Sequence, residues 1–226
     1  KAEEFNADYI FVLDRPGIDE EVIELNRRER NIPLVCIDHH PAEKIPNIKD
    51  YYNTYVTSKK SEPTAYLCYK ITERKEDLWI AIMGCIADHY LPDFASVFEK
   101  EYPELWKSEV KKPFDAYYGA EIGRLAQALN FGLKDSATHV VQMQQFLISC
   151  VSPHDVLVEN RDNRAFLENY HKLKNKYNSL VIKAESALKK NLLFFEYSGE
   201  SSMSSEIANE LSYRHQKEYI IVAYHK

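Results

Sequence analysis

Two short runs decide the fold: Tyr9-Ile-Phe-Val-Leu-Asp14 and, about 25 residues on, Pro33-Leu-Val-Cys-Ile-Asp38-His39-His40-Pro41. Each is a continuous apolar stretch closed by a carboxylate, the pattern of a strand buried on both faces. Between them, Ile18, Val22 and Leu25 recur at i, i+4, i+7. Asp19, Glu20 and Glu21 fill the first turn and Arg27, Arg28 and Arg30 the last, an order that complements a helix dipole. The unit reads as βαβ, a parallel pair joined by a right-handed crossover. Parallel strands end at one edge of the sheet, and ligands of such sheets bind outside those carboxyl ends. Asp14 and the Asp38-His39-His40 triplet should therefore face one crevice.

Working outward, Tyr51 to Thr57 is expected to add a strand. Two apolar helices should follow, over Pro63 to Glu73 and Glu76 to Asp88, the second closing in Gly84-Cys-Ile-Ala-Asp88-His89. Tyr117 to Leu157 reads as helical up to the break at Pro153. Asn163 to Lys190 reads as a long polar helix of net charge +5, with Arg164, Lys172, Lys174, Lys176, Lys183, Lys189 and Lys190 against Glu168 and Glu185. That is the look of a connector. Leu192–Tyr197, Ser204–Ser212 and Tyr219–Tyr224 then read as strand, helix and strand. The fold class is α/β: a parallel-sheet domain with helical additions over 1–160, a connecting helix over 161–190, and the start of a smaller α/β domain over 191–226.

The chain has 226 residues, enough for one large domain or two small ones. With 45% apolar residues it is no disordered chain, and it has no apolar run of membrane-spanning length. Only 6 glycines occur, none in a phosphate-cradling spacing, which excludes glycine-loop nucleotide binding for this stretch. The formal charge of −6 offers no global field for a polyanion, so a nucleic acid would need a local basic patch. Cys36, Cys68, Cys85 and Cys150 show no C-x-x-C pairing and suit buried free thiols in a reducing cytoplasm.

Chemistry concentrates in strand-terminal Asp14, the Asp38-His39-His40 triplet and helical Asp88. Hard carboxylates with imidazole are what Mn²⁺ or Mg²⁺ accept. Two such ions roughly 3.5–4 Å apart would clamp both oxygens of an in-line phosphoryl displacement. Each residue also has a plainer reading: Asp14 as a turn or cap, the triplet as a solvated loop, Asp88 as a hydrogen-bonded carboxylate at a helix end. Their joint occurrence is the specific signal. His89 points about 100° away from Asp88 on a helix, which favours a rim or packing role. His154 reads as a loop residue, and His139, His171, His215 and His225 as surface histidines. Among the 16 tyrosines, Tyr51, Tyr52, Tyr55, Tyr66 and Tyr69 read as core or half-core sooner than as base-stacking platforms.

The runs IFVLDRP, VCIDHHP and DLWIAIMGCIADHYLP resemble the DHH phosphoesterase superfamily, the last being most similar to its RecJ-like branch. The likeness covers Tyr9 to Pro92 and extends weakly to Ser204–Leu211 and Tyr219–Ala223, which look like the opening of an accessory substrate-binding domain. It implies that Asp14 bridges two metals, that His39 and Asp88 complete one metal's shell, that Asp38 orients an imidazole, and that His40 contacts the scissile phosphate or serves the leaving oxygen. It implies a cytoplasmic, metal-dependent phosphodiesterase, with two Mn²⁺ or Mg²⁺ ions, acting as an exonuclease on single-stranded DNA or RNA. The alternatives are a phosphodiesterase of short oligonucleotides or cyclic dinucleotides, and a non-catalytic scaffold bound to replication-complex proteins. The family's first acidic motif is not met before Asp14, where only Glu3, Glu4 and Asp8 occur, and its glycine-rich substrate segment is not met before Lys226. The chain is therefore expected to be an internal piece of a longer protein.

Overall fold

A computed structural model describes residues 6–42, 45, 48–107 and 109–226. Glu3 and Glu4 lie outside the described residues. The architecture is mixed α/β, and the chain divides by packing into two units, Lys1–Pro103 and Glu104–Lys226.

The first unit opens with β1 (Ile10–Leu13), α1 (Glu20–Glu29) and β2 (Leu34–Asp38). β3 (Asp50–Asn53) and α2 (Thr54–Ser58) follow, then α3 (Thr64–Thr72), α4 (Leu78–Ala87) and α5 (Ala95–Glu101). The sheet runs β1-β2-β3, parallel throughout, with Ile10 opposite Leu34 and Asp38 opposite Asn53. The crossover expected from the sequence is thus present, and Asp14 and Asp38 leave the sheet at the same edge.

Three expectations need correction. Among the described residues β1 is an edge strand, and it is not buried on both faces: Phe11 is 60% exposed and Leu13 48%. The core under α1 is built by Cys36, Ile45 and Ile48 with Val12, Ile18 and Ile23, whereas Val22 and Leu25 stay exposed. The helix has turned by one residue, because Ile23 and not Val22 meets β2's inner face. Finally, Tyr51 to Thr57 is not one strand. Asn53 accepts a hydrogen bond from Val56 N at 3.2 Å, capping a helical turn that the β-forming residues of the segment concealed.

α4 is apolar on nearly every side, and Leu78, Trp79, Ile82, Met83, Cys85 and Ile86 are buried. It lies against α3, where a Cβ on Gly84 would come within 2.5 Å of the Ala65 Cβ. Glycine lets the two helices approach this closely. Beyond α4, Tyr66 stacks on Phe94 at a centroid distance of 5.7 Å, with Tyr69 at 4.5 Å from the same ring. These tyrosines pack as half-core, whereas Tyr52 is exposed.

The second unit comprises α6 (Pro113–Gly119), α7 (Glu121–Gly132), α8 (Ala137–Ser149), α9 (Arg164–Glu185), β4 (Leu188–Lys189), β5 (Leu192–Ser198), α10 (Ser204–Arg214) and β6 (Tyr219–His225). β5 and β6 pair in parallel, with α10 as their crossover. α9 ends five residues earlier than its polar pattern suggests, and β4 follows it. Nor is α9 a free span: Phe166, Leu167, Tyr170, Tyr177, Val181 and Ala184 are buried on it. Tyr177 Oη donates to buried Glu210, which Arg214 also holds.

All four cysteines are free; Cys36 and Cys85 are buried, and Cys68 and Cys150 are partly so. Burial pushes the Cys85 thiol far up and that of Cys150 to about 11. Among the described residues no helix is long and apolar enough to cross a membrane.

Candidate metal centre

The site lies at the carboxyl edge of the β1-β2-β3 sheet. Asp14 follows β1 directly and adopts a left-handed backbone (φ 58°), a region that Asp tolerates better than most residues. Its N–H still donates to the Ile37 carbonyl at 3.0 Å, so the strand ends here and the side chain turns out over the edge. Thr64, buried at the first turn of α3, donates its hydroxyl to Asp14 Oδ1 at 3.1 Å. The same oxygen lies 3.2 Å from His39 Nε2.

His39 is fixed from behind. Ser61 Oγ lies 3.0 Å from His39 Nδ1 and donates to the His39 carbonyl at 3.4 Å. With its hydrogen on the carbonyl the hydroxyl accepts from Nδ1–H and Nε2 carries the lone pair; with its hydrogen on Nδ1, Nε2–H donates to Asp14. That nitrogen faces Asp14 Oδ1 at 3.2 Å and Asp88 Oδ2 at 3.7 Å. In the first arrangement three electron-rich atoms converge, which a cation among them satisfies. Ligands about 2.1 Å from one ion and at right angles stand about 3 Å apart, so these separations suit a shared divalent cation.

Asp88 caps α4 at its C-terminus, where the helix dipole disfavours a carboxylate. Burial pushes its carboxyl up, and His39 pulls the other way. His89 also takes a left-handed backbone (φ 56°), and burial lowers its imidazole.

His40 is held through Asp38, which is 1% exposed. Asp38 Oδ1 accepts from His40 Nδ1 at 2.8 Å, and Oδ2 from the His40 N–H at 3.2 Å. This hydrogen bond raises the His40 imidazole above its ordinary value. Among the described residues, Asp14, His39 and His40 form a group whose ligating atoms all lie within 4.8 Å of one another. Asp88 stands at its margin, in contact with His39.

Asp14, His39, His40, Asp38 and Asp88 therefore come together. Asp8 does not: it precedes β1, and at about 3.3 Å per extended residue it lies at the far end of the strand from Asp14. Of the other histidines, His139 pairs with Asp135 at 3.0 Å, His154 with Glu104 at 3.0 Å and His225 with Glu196 at 3.2 Å. His215 is no surface residue; its side chain is three-quarters buried, 3.5 Å from Glu185. The sequence reading missed Asn53, Ser61 and Thr64. Of these only Asn53 carried a local signal, that of a helix N-cap.

No protein-family profile matches the sequence, and no curated protein matches it. Among solved structures, a crystal structure of exonuclease RecJ bound to manganese is similar at 13% identity and a TM-score of 0.49. The match covers 97% of this chain and 62% of that one, so the chain spans under two thirds of its length.

Proposed function

We propose that the chain is a metal-dependent phosphoesterase that hydrolyses phosphodiester bonds as a RecJ-like single-strand exonuclease. The observation carrying this reading is the convergence of Asp14 and Asp88 on His39 Nε2, at 3.2 and 3.7 Å. The donor set, two carboxylates and one imidazole, suits Mn²⁺ or Mg²⁺ better than Zn²⁺. Asp14, His39 and Asp88 would hold the ion, with Asp14 also serving a second one. When bound, a cation supplies Lewis acidity toward water and the phosphate oxygens. The protein's own residues do the rest. Thr64 and Ser61 hold Asp14 and His39 in place, and Asp38 presents His40 as a donor to a phosphate or leaving oxygen.

For the substrate, Lys172, Lys176 and Lys183 stand on one side of α9, four and seven residues apart, and would track a sugar-phosphate backbone. The net charge of −6 favours instead the second reading, a phosphodiesterase of short oligonucleotides or cyclic dinucleotides. A non-catalytic scaffold within a replication complex is the third.

The test is release of nucleotides from an end-labelled single strand, a dinucleotide and a cyclic dinucleotide, with Mn²⁺ and with excess EDTA. Metal-dependent release from the long strand is expected. Hydrolysis of the small substrates alone would select the second reading. Manganese binding by calorimetry with no hydrolysis would select the scaffold, and no manganese binding would overturn all catalytic readings.

A further inference from the structure

Asn53 ends β3 with 2% of its surface exposed, directly opposite Asp38 across the β2–β3 ladder. Its side chain works in two directions. Oδ1 accepts from Val56 N, capping α2. That commitment turns the amide nitrogen toward the site, where it donates to Asp38 Oδ2 and to the His40 carbonyl, both at 3.1 Å, with the Tyr51 hydroxyl 3.3 Å away. Among the described residues the buried Asp38 carboxylate thus has three donors: the His40 ring, the His40 N–H and the Asn53 amide.

A helix cap needs only an acceptor, which Asp or Ser supplies as well as Asn. Here the cap must accept on one side and donate on the other, because the other side faces a buried anion. A short side-chain amide meets both demands at once.

We propose that Asn53 is the positioning residue of this site, an inference that rests on the phosphoesterase reading. By clamping the Asp38 carboxylate and the His40 carbonyl together, it fixes the His40 ring through Nδ1 and leaves Nε2 as the free nitrogen beside Asp14 and His39. It acts through Asp38 and His40, and does not itself touch the substrate or the ion.

The variants Asn53→Ser and Asn53→Asp both keep a capping acceptor and remove the amide donor; the second also sets a carboxylate against Asp38. In the full chain, calorimetric Mn²⁺ affinity is expected to stay within about threefold of wild type, because Asp14, His39 and Asp88 are untouched. The kcat for the substrate that the wild type hydrolyses should fall about 10- to 100-fold in Asn53→Ser, with KM little changed, and further in Asn53→Asp. Asn53→Ser carries the test if Asn53→Asp does not fold. A second readout needs no turnover: the His40 Nδ1–H resonance, assigned by its absence in His40→Gln, should exchange slowly in the wild type and be lost in Asn53→Ser. Wild-type kcat in both variants, or a protected His40 proton in Asn53→Ser, would overturn the inference. A wild type that neither binds manganese nor hydrolyses any substrate would sink the phosphoesterase reading separately, while the His40 proton would still decide the role of Asn53.

Discussion

The double variant Asp14→Ala, His39→Ala is expected to lose manganese-dependent hydrolysis by about 10³-fold or more and to show no calorimetric manganese binding. Removing the ion forfeits several kcal/mol of charge stabilisation, and about 4 kcal/mol already corresponds to 10³ in rate. The fold should survive. Asp14 is half exposed at the sheet edge, and His39, though mostly buried, packs among Asp14, Ser61 and Asp88, so neither belongs to the Cys36–Ile45–Ile48 core. One complication is the left-handed backbone at Asp14, which alanine tolerates poorly. Asp14→Asn removes the charge while keeping a residue that accepts this conformation, and should lose activity alike with little change in urea midpoint. Activity equal to wild type in both proteins would rule out Asp14 as a ligand.

A comparably large effect is expected at a position that touches no ligand. Gly84→Leu should cost about 3 kcal/mol in urea unfolding and reduce hydrolysis more than 100-fold. Even one added carbon at residue 84 would come within 2.5 Å of the Ala65 Cβ, and overpacking of this kind costs typically 1–3 kcal/mol. Asp88 follows Gly84 by one helical turn, so any separation of α4 from α3 carries Asp88 away from His39. Gly84→Ala should be milder, since alanine recovers about 1 kcal/mol of helix propensity. Adding Ala65→Gly to it removes the facing methyl and should restore activity. A Gly84→Leu protein as stable and active as wild type would show that the close approach of α3 and α4 is dispensable.

How much of this was legible depended on whether a feature was local. The β1-α1-β2 order and the shared edge of Asp14 and Asp38 follow from two apolar runs ending in carboxylates, with a 3.6-residue period between them. Asp38-His39-His40 and Asp88 could be picked out because they terminate elements. The exposure of Phe11 and Leu13 could not, since it depends on which residues distant in the chain cover that face of β1. The switch from strand to helix at Asn53 was hidden because Tyr51, Tyr52, Tyr55, Val56 and Thr57 all favour strands. Ser61 and Thr64 reach the site only through packing, and nothing in their immediate neighbours distinguishes them from ordinary helix-leading residues.

The bond from Thr64 to Asp14 joins residues 50 apart in the chain, about twice the separation of the Ile10–Leu34 pair in the β1–β2 ladder. Closing that longer loop costs more chain entropy, so this contact is expected to form after the ladder. A folding chain therefore has its sheet edge before it has its ligand cage, and a cation has little to grip until the native state is nearly complete. Metal should then act as a latch on the finished molecule, slowing its unfolding while leaving its folding rate almost untouched.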